Sequence, residues 1–310
     1  MKALLIVPVA VLAAALGFLI AGCGADEATP AGPVPSVEDQ AETATEPVET
    51  TPEEGGGETG SEDSEEELSG TVTYQVWFAE GETLFVTYRS QERTPRVGSA
   101  ALEALLRGPD EFEQGYGLSS AIPEGTQLLG LRIEDGIAYV DLTSEFESGG
   151  GTLSMQMRLA QVVYTLAQFP TVEGVLFSLD GEQVDVIGGE GIVVDQPLRQ
   201  RDFRELLPAI LVTSPALGQT VGNPIVIRGS ANVFEANVSV EVLDASGQEI
   251  ASTFTTATCG TGCRGTFAVS LEYEVDEEQD GTLVVHDDDA AGTGTFPHEV
   301  RIPVRLTPGA

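Results

Sequence analysis

The chain has 310 residues and a formal net charge of -36, with 50 acidic side chains against 14 lysines and arginines. Nucleic acid is excluded as a partner, because phosphate binding depends on clustered Lys and Arg, and the arginines here are scattered along the sequence. Once a leader and an acidic stretch are set aside, about 240 residues remain, enough for two domains that each bury a core.

Lys2 supplies a minimal basic start and is the only lysine, and residues 3–18 form a nearly unbroken apolar run. Small residues then precede a cysteine in Leu19-Ile20-Ala21-Gly22-Cys23. A plain secretory signal also ends in small residues but needs no cysteine at the first mature position, so residues 1–22 read as a bacterial lipoprotein signal and Cys23 as the lipidated residue. The alternative is an uncleaved anchor with an incidental cysteine, in a stretch barely long enough to span a bilayer. Each buried methylene contributes about 0.8 kcal/mol, so several acyl chains on Cys23 would hold the protein on the extracytoplasmic face of the membrane.

Residues 25–70 hold many acids and no base, filled out with Pro, Thr, Gly and Ser. Such a stretch buries too little apolar surface to offset chain entropy, so 23–70 reads as a lipidated, disordered tether with a reach of about 35–40 Å. Its acids at 62–67 read as a repulsive spacer, with a dock for a basic partner or cations as the alternative.

Residues 71–205 alternate strand and helix signals. Val72, Tyr74, Val76 and Phe78, then Leu84-Phe85-Val86, read as a hairpin. Thr94 as cap and Pro95 as first residue start a helix with Val97, Ala101, Leu102, Leu105 and Leu106 on its buried face, and Arg107-Gly108-Pro109 ends it. Leu129, Leu131 and Ile133 lead through Asp135-Gly136 to Ala138, Val140 and Leu142 as a second hairpin. A second helix spans 154–169, and Val175, Phe177 and Leu179 lead through Asp180-Gly181 to Val184 and Val186. The order ββαββαββ describes a two-layer α+β domain with helices on one face of a sheet.

Residues 206–308 carry seven short alternating runs, at 210–213, 225–229, 238–243, 249–254, 266–271, 282–286 and 299–306. Strands at this spacing with no helical stretch read as an all-β, immunoglobulin-like sandwich.

Four segments of the middle domain resemble the sporulation and spore germination domain of GerM type. They are Ala101-Leu102-Glu103-Ala104-Leu105-Leu106-Arg107-Gly108-Pro109, residues 122–126 (Ile-Pro-Glu-Gly-Thr), residues 135–142, and residues 161–170. Val212-Thr213-Ser214-Pro215, Asn223-Pro224, Arg228-Gly229-Ser230-Ala231, Phe234-Glu235-Ala236 and Cys263-Arg264-Gly265-Thr266-Phe267 resemble the immunoglobulin-like domain that accompanies it. The resemblance implies a non-enzymatic interaction protein, and a middle domain similar to the ring-building modules of envelope-spanning assemblies.

Catalytic, cofactor and metal residues are not expected. Asp135, Asp141, Glu145 and Glu147 are the only acid–base candidates, and they read as turn and solvent-facing carboxylates. Cys259 and Cys263 lie outside the membrane, where oxidation favours a disulfide. The rivals are a zinc site completed by His286 and His298, and a calcium loop at His286-Asp287-Asp288-Asp289 with Gly292 and Gly294. Asn237 heads a sequon that lies inside a strand. The expected function is a membrane-anchored, non-catalytic binding or scaffold protein with an envelope protein as partner. The alternative is an accessory that binds peptidoglycan glycan or peptide and tunes a wall enzyme.

Overall fold

The computed structural model describes residues 70–189, 191–287 and 296–309. Cys23, the signal, the acidic stretch, Asp288, Asp289, Gly292 and Gly294 lie outside them.

The first hairpin forms as the alternation requires: β1 (Thr71–Glu80) pairs antiparallel with β2 (Thr83–Glu92) along its whole length. Helix α1 (Val97–Arg107) begins two residues after the expected start. Thr94 caps nothing in it, because its hydroxyl is used locally, accepting from the Arg96 amide at 3.2 Å. Gly108 ends the helix at φ 81, and its amide caps the Leu105 carbonyl. Next comes a short helix that the apolar period does not reveal, α2 (Glu111–Tyr116). Asp110 and Glu113 form a reciprocal capping box at its start. The two-residue strand β3 (Leu118–Ser119) then pairs with the end of β1.

Strands β4 (Leu128–Glu134) and β5 (Ile137–Leu142) form the second hairpin, with Asp135 at φ 50 and Gly136 at φ 81 in its turn. A register shift falls between Leu128 and Gly130, Leu129 and Ile133 are both exposed, and of the three side chains expected inward only Leu131 is partly buried against the core. Helix α3 (Thr152–Leu166) stops three residues before the expected Phe169. Strand β6 (Gly174–Leu179) runs parallel to β5 and turns through Asp180-Gly181 into β7 (Glu182–Gln183), only two residues long. Val186 falls instead in β8 (Val186–Ile187), paired with β9 (Ile192–Val193).

The expected element order is present, but the strands do not join into one sheet. They form separate sheets ordered β2-β1-β3 and β4-β5-β6-β7, with β8-β9 apart. The reason lies on α3 and just past its end, where Gln161, Thr165 and Gln168 face the edge of β1 that β3 leaves open. Gln168 accepts from the Gln75 amide at 2.7 Å and donates to the Gln75 carbonyl at 2.7 Å. Thr165 accepts from the Trp77 amide at 3.2 Å, and Gln161 donates to the Trp77 carbonyl at 3.0 Å. Helix side chains thus take the place of a neighbouring strand. From Met157 to Leu166 every residue of α3 is buried, which makes it the central element of this region.

The second region has all seven expected strands: β10 (Ile210–Ser214), β12 (Ile225–Ala231), β13 (Asn237–Leu243), β14 (Glu249–Thr256), β15 (Gly265–Leu271), β16 (Gln279–His286) and β17 (Glu299–Leu306). An eighth, β11 (Thr220–Val221), is too short to show a period and pairs parallel with β17. The sheets are β10-β12-β15 and β11-β17-β16-β13-β14. Val238, Val240 and Val242 of β13 and Ile302, Val304 and Leu306 of β17 are all buried in the core of the sandwich, as alternation demands.

Buried apolar side chains form one cluster that runs from Tyr74 through Phe203 and Leu206 to Leu306, continuous across the two regions.

Candidate functional site

Residues 198–209 connect the two modules without slack. Phe203 and Leu206, three apart in the 3-10 segment Gln200–Leu206, are buried. Arg201 and Arg204 of the same segment, and Arg199 just before it, line a cleft of 1270 Å³ between the modules. The first module supplies Trp77 and Tyr164 to its wall, and the sandwich supplies Leu211, Arg264 and the Cys259–Cys263 loop.

The cleft has a fixed shape because the modules bond directly. The Tyr88 hydroxyl donates to the Thr213 carbonyl at 2.6 Å, and the Tyr116 hydroxyl to the Arg301 carbonyl at 2.7 Å. Burial pushes both phenols above their usual range, so both stay protonated donors. Phe112 of α2 lies over Gly218 of the sandwich, where a Cβ would stand 2.9 Å from the ring. Arg264 ties the connection down by donating to the Pro208 carbonyl, and to Ser230 O and Oγ at 3.2 and 3.1 Å.

Electrostatically the cleft is the opposite of the chain that surrounds it. Four of the 14 basic residues meet here, against Glu173 and Glu205. Among the described residues Arg199, Arg204 and Arg264 form no ion pair, and Arg201 approaches Asp202 only at 3.8 Å. Burial lowers the pKa of Arg264, because its guanidinium has given up water for neutral carbonyls. Burial pushes Tyr164 up to about 12, despite opposing fields from Arg264 and Arg204. Its hydroxyl donates to the Gln200 carbonyl at 3.1 Å, and its ring lies 4.8 Å from that of Trp77.

The rim on the sandwich side is strained. Cys259 and Cys263 are joined as a disulfide with Cα atoms 5.8 Å apart, as expected for an oxidising compartment. Beside it Glu235, Ala236 and Thr261 hold φ of 54, 59 and 52. The two loops are bolted together: Thr261 N donates to Val233 O at 2.9 Å, Glu235 N to Thr261 Oγ1 at 3.0 Å, and Gly262 N to Asn232 Oδ1 at 2.9 Å.

The acid–base candidates do not converge on a cavity. Asp135 sits in its turn, Asp141 accepts from Gly181 N at 3.0 Å, and Glu147 accepts from Gly188 N at 3.2 Å. Glu145 is fully exposed, and a hydrogen bond from Thr143 lowers its pKa. The disulfide removes both sulfurs from the zinc alternative. His286 is buried, with Nε2 3.3 Å from Glu241, while Asp287 accepts from His298 N at 3.1 Å. Among the described residues no group of three or more His, Cys, Asp or Glu is placed to hold a metal. Asn237 is the first residue of β13. Sequence reasoning missed the cleft because Arg264 and the walls around Trp77, Tyr164 and Leu211 are distant in the chain from the Arg199–Arg204 segment. The one local signal was Arg199-Gln200-Arg201 with Arg204 three residues further on.

The fold and cleft define a two-module protein, an α+β unit locked to an immunoglobulin-like sandwich. Residues 63–185 match the family described as "Sporulation and spore germination", and residues 209–294 match "Immunoglobulin-like domain of bacterial spore germination". The two matches lie in chain order, the first chiefly on the α+β module and the second on the sandwich. Among solved structures it is similar to the first GerMN domain of the sporulation protein GerM from Bacillus subtilis, at 20% identity over 42% of this chain and 99% of that one, TM-score 0.36. The tandem GerMN domains of the same protein align at 12% identity over 77% of this chain and 61% of that one, TM-score 0.37. A candidate lipoprotein from Clostridium perfringens aligns at 22% identity over 44% of this chain and 93% of that one, TM-score 0.33. No curated protein matches.

Proposed function

We propose that this chain is a lipid-anchored, non-catalytic binding protein on the outer face of a bacterial cell membrane, serving a sporulation- or germination-like process as a scaffold for another envelope protein. The observation that carries the reading is the locked pair of germination-type modules enclosing one preformed, arginine-lined cleft. A preformed site between rigid units suits recognition, since little ordering has to accompany binding. The engagement of Asp141 and Glu147 in loop hydrogen bonds supports a role without chemistry. The sequence around Cys23 supports the anchor.

Two measurements test this. Cys23→Ser moves the protein from the membrane fraction to the soluble one if the cysteine is lipidated; a variant that stays membrane-bound overturns the anchor. Photo-crosslinking in living cells, from probes on the surfaces of both modules, yields a discrete protein adduct if the chain is a scaffold. Adducts with wall fragments alone would replace the scaffold with the peptidoglycan-binding accessory. Amine-reactive reagents are unsuitable, because the only lysine is Lys2.

A further inference from the structure

We propose that the inter-module cleft binds a short acidic segment of the partner protein, with carboxylates of that segment paired to Arg199 and Arg204. This rests on the binding-protein reading and names the chemistry of its partner. Three features support it.

The first is charge. In a chain with 50 acids, four of the 14 basic residues line one cleft. Arg199 and Arg204 have no carboxylate partner among the described residues. A guanidinium offers two parallel donors to one carboxylate, which gives direction as well as attraction. Arg264 is committed to Pro208 and Ser230, so it adds field to the cleft while keeping its hydrogen bonds.

The second is size. At 1270 Å³ the cleft exceeds the roughly 300–1,000 Å³ of ordinary small-ligand pockets. An extended peptide advances about 3.3 Å per residue, so several residues lie along such a space.

The third is the lining between the arginines. Val172, Leu207 and Leu211 give apolar contact, and Glu173 and Glu205 interrupt the positive field. A peptide that alternates acidic and apolar side chains satisfies both kinds of surface. A uniform polyanion such as polyphosphate leaves the apolar lining uncovered and meets the two glutamates with like charge.

Trp77 is the only tryptophan, lies in the cleft wall and is 4% exposed, so its emission reports occupancy directly. The experiment uses the full chain in detergent and a fluorescein-labelled ten-residue peptide alternating Glu and Leu. The expected result is saturable anisotropy with a parallel change in Trp77 emission, weakened as salt rises. Arg199→Gln with Arg204→Gln weakens binding about tenfold or more, while Arg132→Gln, on exposed β4, leaves it unchanged. A double variant whose unliganded Trp77 emission differs from wild type is replaced by Arg199→Lys with Arg204→Lys, which keeps the charge but loses the paired donors. The expectation there is weakening smaller than that of the Gln pair. Absence of peptide binding, or binding that neither pair of substitutions weakens, overturns the proposal. So does polyphosphate binding more tightly than the peptide through the same arginines. Failure here leaves the scaffold reading standing if cellular crosslinks still form from other surfaces, and a Cys23→Ser variant that remains on the membrane fails the anchor without touching the cleft.

Discussion

The two modules solve the same problem of a stable interior by different chemistry. In the α+β module Thr87, Glu113, Arg158, Gln161 and Thr165 are buried, and each is hydrogen-bonded. In the sandwich His286, Asp287 and the hydroxyl of Tyr273 supply the buried side-chain polar groups among the described residues, and the interior is made mainly by alternation. Its most constrained positions are ones where a side chain has no room. The first module is specified by partners, the second by space, and substitutions that break each should differ in kind.

Arg158 is the position where loss costs most. It donates to the carbonyls of Ala121, Phe146, Ser148 and Gly149 at 2.8–2.9 Å. Arg158→Ala leaves these groups without partners and should cost about 4 kcal/mol by chemical denaturation. Gly229 is the corresponding point in the sandwich. It sits on β12 between β10 and β15, where a Cβ would strike the Leu211 carbonyl and stand 2.6 Å from the Phe267 ring. Gly229→Ala should cost about 3 kcal/mol, although it removes no interaction. If it is neutral, space is not what specifies this sheet.

Gln161→Leu keeps the volume on α3 but strands the Ala121 amide and the Trp77 carbonyl, and should cost about 2 kcal/mol. Replacing both Cys259 and Cys263 by Ser opens a loop of four-residue separation, for which chain entropy predicts about 2 kcal/mol or less. Because Arg264 follows directly, this variant should also lower affinity in the cleft, which the first three need not do.

The smallest effect is a pH dependence. Tyr164→Phe loses the bond to Gln200 and should cost about 1 kcal/mol near neutral pH. Burial raises the folded pKa of Tyr164 from the usual 10.0 of a phenol to about 12. The stability it contributes is therefore complete below pH 10 and is lost as pH climbs from 10 towards 12. Denaturation followed across that window should show a steeper alkaline fall in wild type than in Tyr164→Phe.

These differences also decide what the sequence reveals. Alternation in the sandwich strands is visible residue by residue, and all seven emerge within a few positions of their final bounds. The helices of the first module show their apolar faces equally well. What escapes is what depends on long-range polar contact. Nothing local says that Gln161, Thr165 and Gln168 reach a strand more than 80 residues earlier and so divide one expected sheet into two. The capping box of Asp110 and Glu113 was present as a pattern, yet α2 is too short to show a period. The cleft is a product of topology, since Arg199 and Arg264 meet only after both modules have folded and docked.

The polar stripe on α3 also sets how this protein would fail. The amides of Gln75 and Trp77 are shielded by side chains of a helix, so their hydrogen exchange should follow the undocking of α3 rather than the opening of the β1–β2 hairpin. A chain caught with α3 undocked presents an open strand edge flanked by Val76 and Phe78, a template for pairing with another copy. The side chains at 161, 165 and 168 therefore cover a strand edge that would otherwise be open to such pairing.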